Sequence, residues 1–146
     1  MIVLLDTDVL IDIALDRKPH AQPALDLLKA LRKRPGTAFI AWHSISNLSY
    51  IVRPTRGTRW TRLLIRDFAH IAGIAPTEVI HILQATHFDM NDFEDAMQVA
   101  AAMACGANVI ATRNLRDYKR SPVPAASPAT VLKELWRQPE KEEAAP

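Results

Sequence analysis

"DFEDAMQVAAAMACGANVIATRNLRDY", residues 92–118, is the stretch on which the fold turns. Three of its first four residues, Asp92, Glu94 and Asp95, are acids, and an alanine-rich run follows them. Alanine is the best helix former, acids favour the positive first turn of a helix, and Asn91 or Asp92 can cap that turn. Gly106 supplies the stop. Residues 107–111, "ANVIA", then make an apolar run of strand length. "TRNLRDY" follows at once and places a hydroxyl, two arginines, an amide and a carboxylate just beyond that strand. A solvated turn and the rim of an active site would both look like this.

Outward from this stretch, the chain alternates short apolar runs with amphipathic ones. Residues 2–5 form a first strand ended by Asp6, and Thr7 or Asp8 is placed to cap a helix through "DVLIDIAL". "AQPALDLLKALRKR" carries Ala24, Leu27, Leu28 and Leu31 at helical spacing, and Pro35-Gly36 breaks it. "TAFIAW" predicts a second strand. "SISNLSYIV" predicts a third helix with Ile45, Leu48, Ile51 and Val52 on one face, interrupted by Pro54 and Gly57. In "RWTRLLIRDFAHIA" the expected core contacts are Leu63, Leu64 and Phe68, and Gly73 ends the helix. "IAP" predicts a minor strand, and Thr77 a cap for "EVIHILQATHF". "PVPAASP" holds another extended piece, and Ser127 and Pro128 suit the N-cap and N1 positions of a last helix, "ATVLKELW". Residues 1–137 are expected to form one domain, and the polar residues 138–146 a disordered tail.

The bulk numbers permit this. A chain of 146 residues, 49% apolar, can bury one substantial core, and none of its apolar runs is long enough to cross a bilayer. No export signal is expected ahead of the first strand, and the single cysteine, Cys105, cannot form an internal disulfide. A reducing cytoplasm is therefore the expected compartment. Cys105 itself reads as a small core residue. The net charge of +2 does not announce a nucleic-acid binder, yet arginines crowd into residues 53–66.

Alternating strands and helices predict a mostly parallel sheet covered on both faces. In such folds ligands gather outside the carboxyl ends of the strands, where the strand order switches. Asp6 ends the first strand, Asn114 and Asp117 lie just beyond residues 107–111, and Asp92 and Asp95 open the helix that enters that strand. If the two strands are neighbours, these groups converge. Three carboxylates at Asp6, Asp95 and Asp117 would repel one another unless a cation joined them. Hard oxygen ligands suit Mg²⁺ or Mn²⁺, which can assist in-line displacement at a phosphodiester.

"LLDTDVLIDI", "SISNLSYIV", residues 92–118 and "SPVPAASPATVLKEL", taken in order, resemble a PIN domain, a family that includes the toxin ribonucleases of VapBC-type toxin–antitoxin pairs. The resemblance implies a three-layer α/β/α fold around a central, mostly parallel sheet of four to five short strands. It also implies metal-dependent cleavage of RNA, an antitoxin partner and a homodimer. By position, Asp6, Asp95 and Asp117 match the family's metal-site acids, and Asn114 falls where a polar or acidic residue adjoins the metal. One residue departs: many PIN ribonucleases carry a glutamate on the helix after the second strand, where this chain has Asn47. An amide brings no charge and is a poor general base. Asp92 or Glu94 could compensate; of the two, Asp92 shares a helix side with Asp95, whereas Glu94 is expected to point elsewhere.

Other residues carry weaker signals. Thr112 can bind a phosphate or form a turn, and Asp8 and Asp12 lie near Asp6. Arg59, Arg62 and Arg66 form a stripe beside Trp60, read either as a solvated face or as a track for RNA phosphates and a stacked base. Arg113 and Arg116 could hold phosphate or neutralise neighbouring acids. His43 faces the same edge and is expected to make a hydrogen bond there rather than to catalyse. The expected function is a Mg²⁺- or Mn²⁺-dependent endoribonuclease of a toxin–antitoxin pair, with Asp6, Asp95 and Asp117 on the metal and Asn47 and Asn114 in support. The alternative is a PIN-like module that binds RNA or protein without cutting.

Overall fold

A computed structural model describes residues 1–138. The expected tail, apart from Gln138, lies outside the described residues. Five strands, β1 (Val3–Leu5), β2 (Ala38–Ile40), β3 (Gly73–Ile74), β4 (Val109–Ala111) and β5 (Ala125–Ala126), form one sheet in the order β3-β2-β1-β4-β5. Every pairing is parallel: Leu4 lies opposite Phe39 on one side and Ile110 on the other. The crossovers from β1 through to β4 carry α-helix, and the one from β4 to β5 only a 3-10 turn, Leu115–Tyr118. The helices are α1 (Thr7–Leu15), α2 (Ala21–Arg32), α3 (Trp42–Arg56), α4 (Thr58–Ile71), α5 (Val79–Ala85) and α6 (Phe93–Ala104), with α7 (Pro128–Arg137) closing the described chain.

The two-residue period of a strand divides the core between the two faces of the sheet. Val3 and Leu5 pack with Val9, Leu27, Leu48, Phe68 and Leu135, under α1–α4 and α7. Leu4 and Ile110 pack on the other face against Val99, Ala101 and Ala102 of α6. Alanines line α6 because their short side chains let the helix lie close to the sheet. The result is the three-layer α/β/α arrangement, with strands buried on both faces as parallel strands must be.

Local chemistry explains where the elements begin, and corrects several boundaries. Asp6 itself caps α1, its carboxylate accepting from the Thr7 N–H, so neither Thr7 nor Asp8 does so. α3 starts earlier than expected, at Trp42, and runs through Pro54; Gly57, at φ 84°, ends it. Pro54 does not break the helix but sits in its last turn, three residues before Gly57. α4 buries Thr61 and Phe68, with Leu64 and Ile65 half-buried, while Leu63 faces outward. That i, i+3, i+4, i+7 stripe replaces the expected Leu63 contact. Glu78, not Thr77, caps α5, its backbone N–H donating to His81 Nδ1 at 2.8 Å. Asp92 caps α6, and Ser127 and Pro128 open α7, as their residue types predict. Among the described residues no helix is long and apolar enough to cross a membrane.

Candidate metal centre

The strand order reverses beside β1: the chain moves from β1 to β2 and β3, then crosses to β4 on β1's other side. The carboxyl ends of β1 and β4 are therefore neighbours, and the Asp6 N–H donates to the Ala111 carbonyl at 3.0 Å. Asp6 is only 4% exposed. Its Oδ2 accepts from Thr112 Oγ1 at 2.8 Å and from the Tyr118 hydroxyl at 3.0 Å. The same Tyr118 hydroxyl lies 3.4 Å from Asp95 Oδ1, so one phenol bridges the acid of β1 and the acid of α6. Asp117 and Asp95 share the wall of a cavity of about 310 Å³ with Asp92, Arg116, Lys119 and Arg120. Tyr118 thus links Asp6 to Asp95, and Asp95 shares its cavity with Asp117, beside the switch point of the sheet.

A second network lies behind the first. Gln98, fully buried one turn after Glu94, places Nε2 2.9 Å from Thr7 Oγ1, 2.7 Å from Ser44 Oγ and 3.1 Å from Glu94 Oε1, so its two N–H groups are shared among three acceptors. Thr7 Oγ1 donates to Ser44 Oγ at 2.7 Å. His43 Nε2 meets Glu94 Oε1 at 3.0 Å. This corrects the expectation that Glu94 points away: carboxylate oxygens of Asp92, Glu94 and Asp95 all lie within 4.8 Å of one another. The physical reason is the i, i+4 pairing of Glu94 with Gln98, which turns the carboxylate toward Thr7.

Crowding leaves an electrostatic signature. The Asp6 carboxyl is pushed up to about 7 by its burial, with Asp8 and Glu94 adding to it. The Asp95 carboxyl rises to about 7 through burial and the charges of Asp92, Glu94 and Asp117. Burial also raises Asp8, against the N–H of Arg113 and the hydroxyl of Thr112. Burial alone would raise Glu94, but its hydrogen bonds to His43 and Gln98 outweigh that and hold it below the usual range. The Tyr118 hydroxyl, buried beside Asp6 and Asp95, is held protonated far above its ordinary value and so remains a donor. Asp6 and Asp95 thus bind protons near neutrality for want of a compensating charge. A buried oxygen of Asp8, Oδ1, has no partner. A set built of carboxylate oxygens, repelling one another and short of positive charge, fits a hard divalent cation.

The remaining expected residues are distributed as follows. Asn47 is half-buried on α3 and makes no side-chain hydrogen bond among the described residues. Its helix reaches the network through Ser44, one turn earlier. Asn114 is exposed, and its backbone N–H donates to Thr112 Oγ1 at 3.1 Å. Thr112 is fully buried and donates to Asp6, with Asp8 Oδ2 3.2 Å from the same hydroxyl. Arg113 is the neutralising arginine of the two possibilities: its Nε pairs with the buried Asp12 at 2.8 Å. Arg116 stays exposed on the acidic cavity. Arg59, Arg62 and Arg66 line a separate, shallow concavity on α4, and the Arg56 guanidinium sits 5.2 Å above the Trp60 ring. Sequence reasoning missed Tyr118, Ser44, Gln98 and Lys119. Gln98 had a signal, as the lone polar residue within residues 96–104; Tyr118, one aromatic in a polar loop, had a weak one.

Comparison with known proteins gives a consistent picture. Residues 2–116 match the PIN domain family. No curated protein matches the chain in sequence. Among solved structures, the fold resembles VapBC2 from Rickettsia felis, bound to a DNA fragment from its promoter, at a TM-score of 0.69 and 18% identity, covering 87% of this chain and 98% of that one. It also resembles VapBC-1 from nontypeable Haemophilus influenzae, at a TM-score of 0.65 and 13% identity over 88% of this chain and 98% of that one. A third likeness is to VapC20 of Mycobacterium tuberculosis, a toxin that cleaves the sarcin-ricin loop, at a TM-score of 0.59 and 13% identity over 74% and 86%. At such identities the likeness is one of fold.

Proposed function

The chain belongs to the PIN domain family, and from that premise we propose that it is a metal-dependent endoribonuclease, the toxin of a type II toxin–antitoxin pair. The observation that carries the proposal is the Tyr118 hydroxyl between Asp6 and Asp95 at the carboxyl edge of β1 and β4, with Asp117 on the same cavity wall as Asp95. Asp6, Asp95 and Asp117 hold Mg²⁺ or Mn²⁺, with Asn47 and Asn114 in supporting positions. A bound ion of this kind supplies a Lewis acid beside the phosphodiester and makes a nearby water more acidic. The chain's own groups do the positioning. Thr112 and Tyr118 fix the Asp6 carboxylate, and Arg116 and Lys119, exposed on the rim, meet substrate phosphates. Arg113, held by Asp12, stiffens the loop that presents Asn114 and Asp117, and Thr112 anchors its start. Arg59, Arg62 and Arg66 give a second, more distant contact for the RNA backbone.

The partner is an antitoxin and the assembly a homodimer. Support comes from the VapBC complexes whose fold this chain shares and from its uncovered apolar surface. Val79, Ile82 and Leu83 of α5 are more than half exposed, at 71%, 56% and 53%. Beside them, Trp42, Met97 and Ala100 line a cavity of about 360 Å³. Large exposed apolar groups at helical spacing mark a protein–protein surface. The compartment that goes with such a pair is the cytoplasm.

One residue favours a second function, a module that binds RNA or protein without cutting: Asn47, an amide where a carboxylate is expected. Cleavage of varied RNAs with Mg²⁺ or Mn²⁺ separates the two. Metal-dependent cutting abolished in both Asp6→Asn and Asp95→Asn supports the nuclease. RNA binding without cutting, unaltered by either substitution, supports the module.

A further inference from the structure

We infer that Glu94 supplies the carboxylate that Asn47 does not, so that the metal faces four acids, Asp6, Glu94, Asp95 and Asp117, and that His43 is the residue that positions it. This rests on the metal-nuclease proposal and specifies its ligand set.

The geometry is asymmetric in an informative way. The donors that reach Glu94 fall on one oxygen: His43 Nε2 at 3.0 Å and Gln98 Nε2 at 3.1 Å, each on Oε1, with the Thr7 hydroxyl oxygen 3.4 Å from the same atom. Oε2 takes none among the described residues. A carboxylate held by one oxygen and open at the other has the form of a single-oxygen ligand. The Glu94 carboxylate also sits among the acids, with one of its oxygens within 4.8 Å of carboxylate oxygens of both Asp92 and Asp95. Asp92 is likewise held through one oxygen, by the Glu94 and Asp95 N–H groups at 2.8 and 3.3 Å, but it is the exposed cap of α6, whereas Glu94 is half-buried.

An independent feature points to a ligand. Gln98 is fully buried within this network, and its Oε1 has no partner at all. A buried acceptor without a donor is costly unless water or a cation completes it. The charge lost at Asn47 also has a physical route to replacement. Ser44, one turn before Asn47 on α3, is hydrogen-bonded to Thr7 and Gln98, so the start of α3 abuts the side chain that carries Glu94. A carboxylate from α6 can therefore stand where one from α3 would have reached.

Mn²⁺ titration of the purified full chain, followed by the loss of free-ion paramagnetic resonance, tests this without reference to RNA. Glu94→Gln keeps size and hydrogen bonding and is expected to weaken Mn²⁺ binding by about tenfold or more, the scale seen when a ligand or its support is removed. Adding Asn47→Glu to Glu94→Gln is expected to restore most of the affinity, since the charge returns from the opposite helix. His43→Ala is expected to weaken binding less than Glu94→Gln, and His43→Gln, which can still donate to Oε1, to recover it. If Glu94→Gln binds Mn²⁺ like the native chain while Asp6→Asn and Asp95→Asn lose it, Glu94 and His43 form a structural pair only and the inference falls alone. If the native chain takes up no Mn²⁺, the inference and the metal-nuclease proposal fall together.

Discussion

The first turns of α3 and α6 start at the same edge of the sheet and meet over Thr7, yet they are built oppositely. α6 opens with a capping aspartate, two further acids in its first turn, and one amide, Gln98, turned inward. α3 opens on Ala41, which offers no side-chain cap, and contributes Ser44, His43 and the neutral Asn47. One helix concentrates negative charge where its own dipole favours it; the other provides hydroxyl and imidazole groups that hold that charge in place. The contrast teaches that a ligand set is defined by where carboxylates meet in space, so its members can move between helices that touch.

The largest effect should come from emptying the acidic side. Asp6→Asn or Asp95→Asn is expected to lower metal-dependent RNA cleavage more than about a hundredfold, beyond the range typical of supporting residues. Steady-state cleavage of a responsive RNA measures it. Cutting the tie between the helices comes next. Gln98→Ala strips a shared donor from Thr7, Ser44 and Glu94 and should cost about 1–3 kcal/mol of folding stability, read from urea unfolding.

A pH series sharpens the comparison electrostatically. Asp6 and Asp95 titrate near 7 in the fold against 3.8 in a free chain, so the folded state binds more protons between those values. The contribution of these two carboxyls to the stability of the metal-free protein should be full below about pH 4 and be lost as pH rises through about 7. Melting in the presence of a chelator should show a lower Tm at about pH 8 than at about pH 5. Mn²⁺ should narrow that gap, and Asp6→Asn should flatten part of the slope.

Smaller still is the cap. Asp92→Ala removes the acceptor for two N–H groups at the start of α6 and should cost about 1 kcal/mol. Least of all, neutralising Arg59, Arg62 and Arg66 together should leave stability within about 0.5 kcal/mol per site, because these side chains are exposed. A loss of RNA affinity in that variant at unchanged stability would assign the α4 stripe to the substrate.

Much of this architecture is written in short-range pattern. Residues 107–111 read as a strand, Asp92 as a cap, Gly106 as a stop, and Ser127-Pro128 as a helix start, because each depends on neighbours within a few residues. Boundaries slipped where a local rule was not decisive: Pro54 looked like a breaker, yet α3 runs on to Arg56 and ends at Gly57. Leu63 looked like core, yet the helix turned Thr61, Leu64, Ile65 and Phe68 inward instead.

What the sequence determined by itself is the alternation of strand and helix, the parallel sheet that follows from it, and the placing of Asp6, Asp95 and Asp117 at strand and helix ends. Periodicity, capping and the switch-point rule act locally or through topology, and all can be read without coordinates. Only the tertiary structure decided that Tyr118 bridges Asp6 and Asp95, that Arg113 is paired with Asp12, and that Glu94 turns inward to His43. Tyr118 and Asp6 are 112 residues apart in the chain, and Glu94 and His43 are 51 apart. Such contacts depend on how whole elements pack against one another, and no pattern within a single helix or loop encodes them.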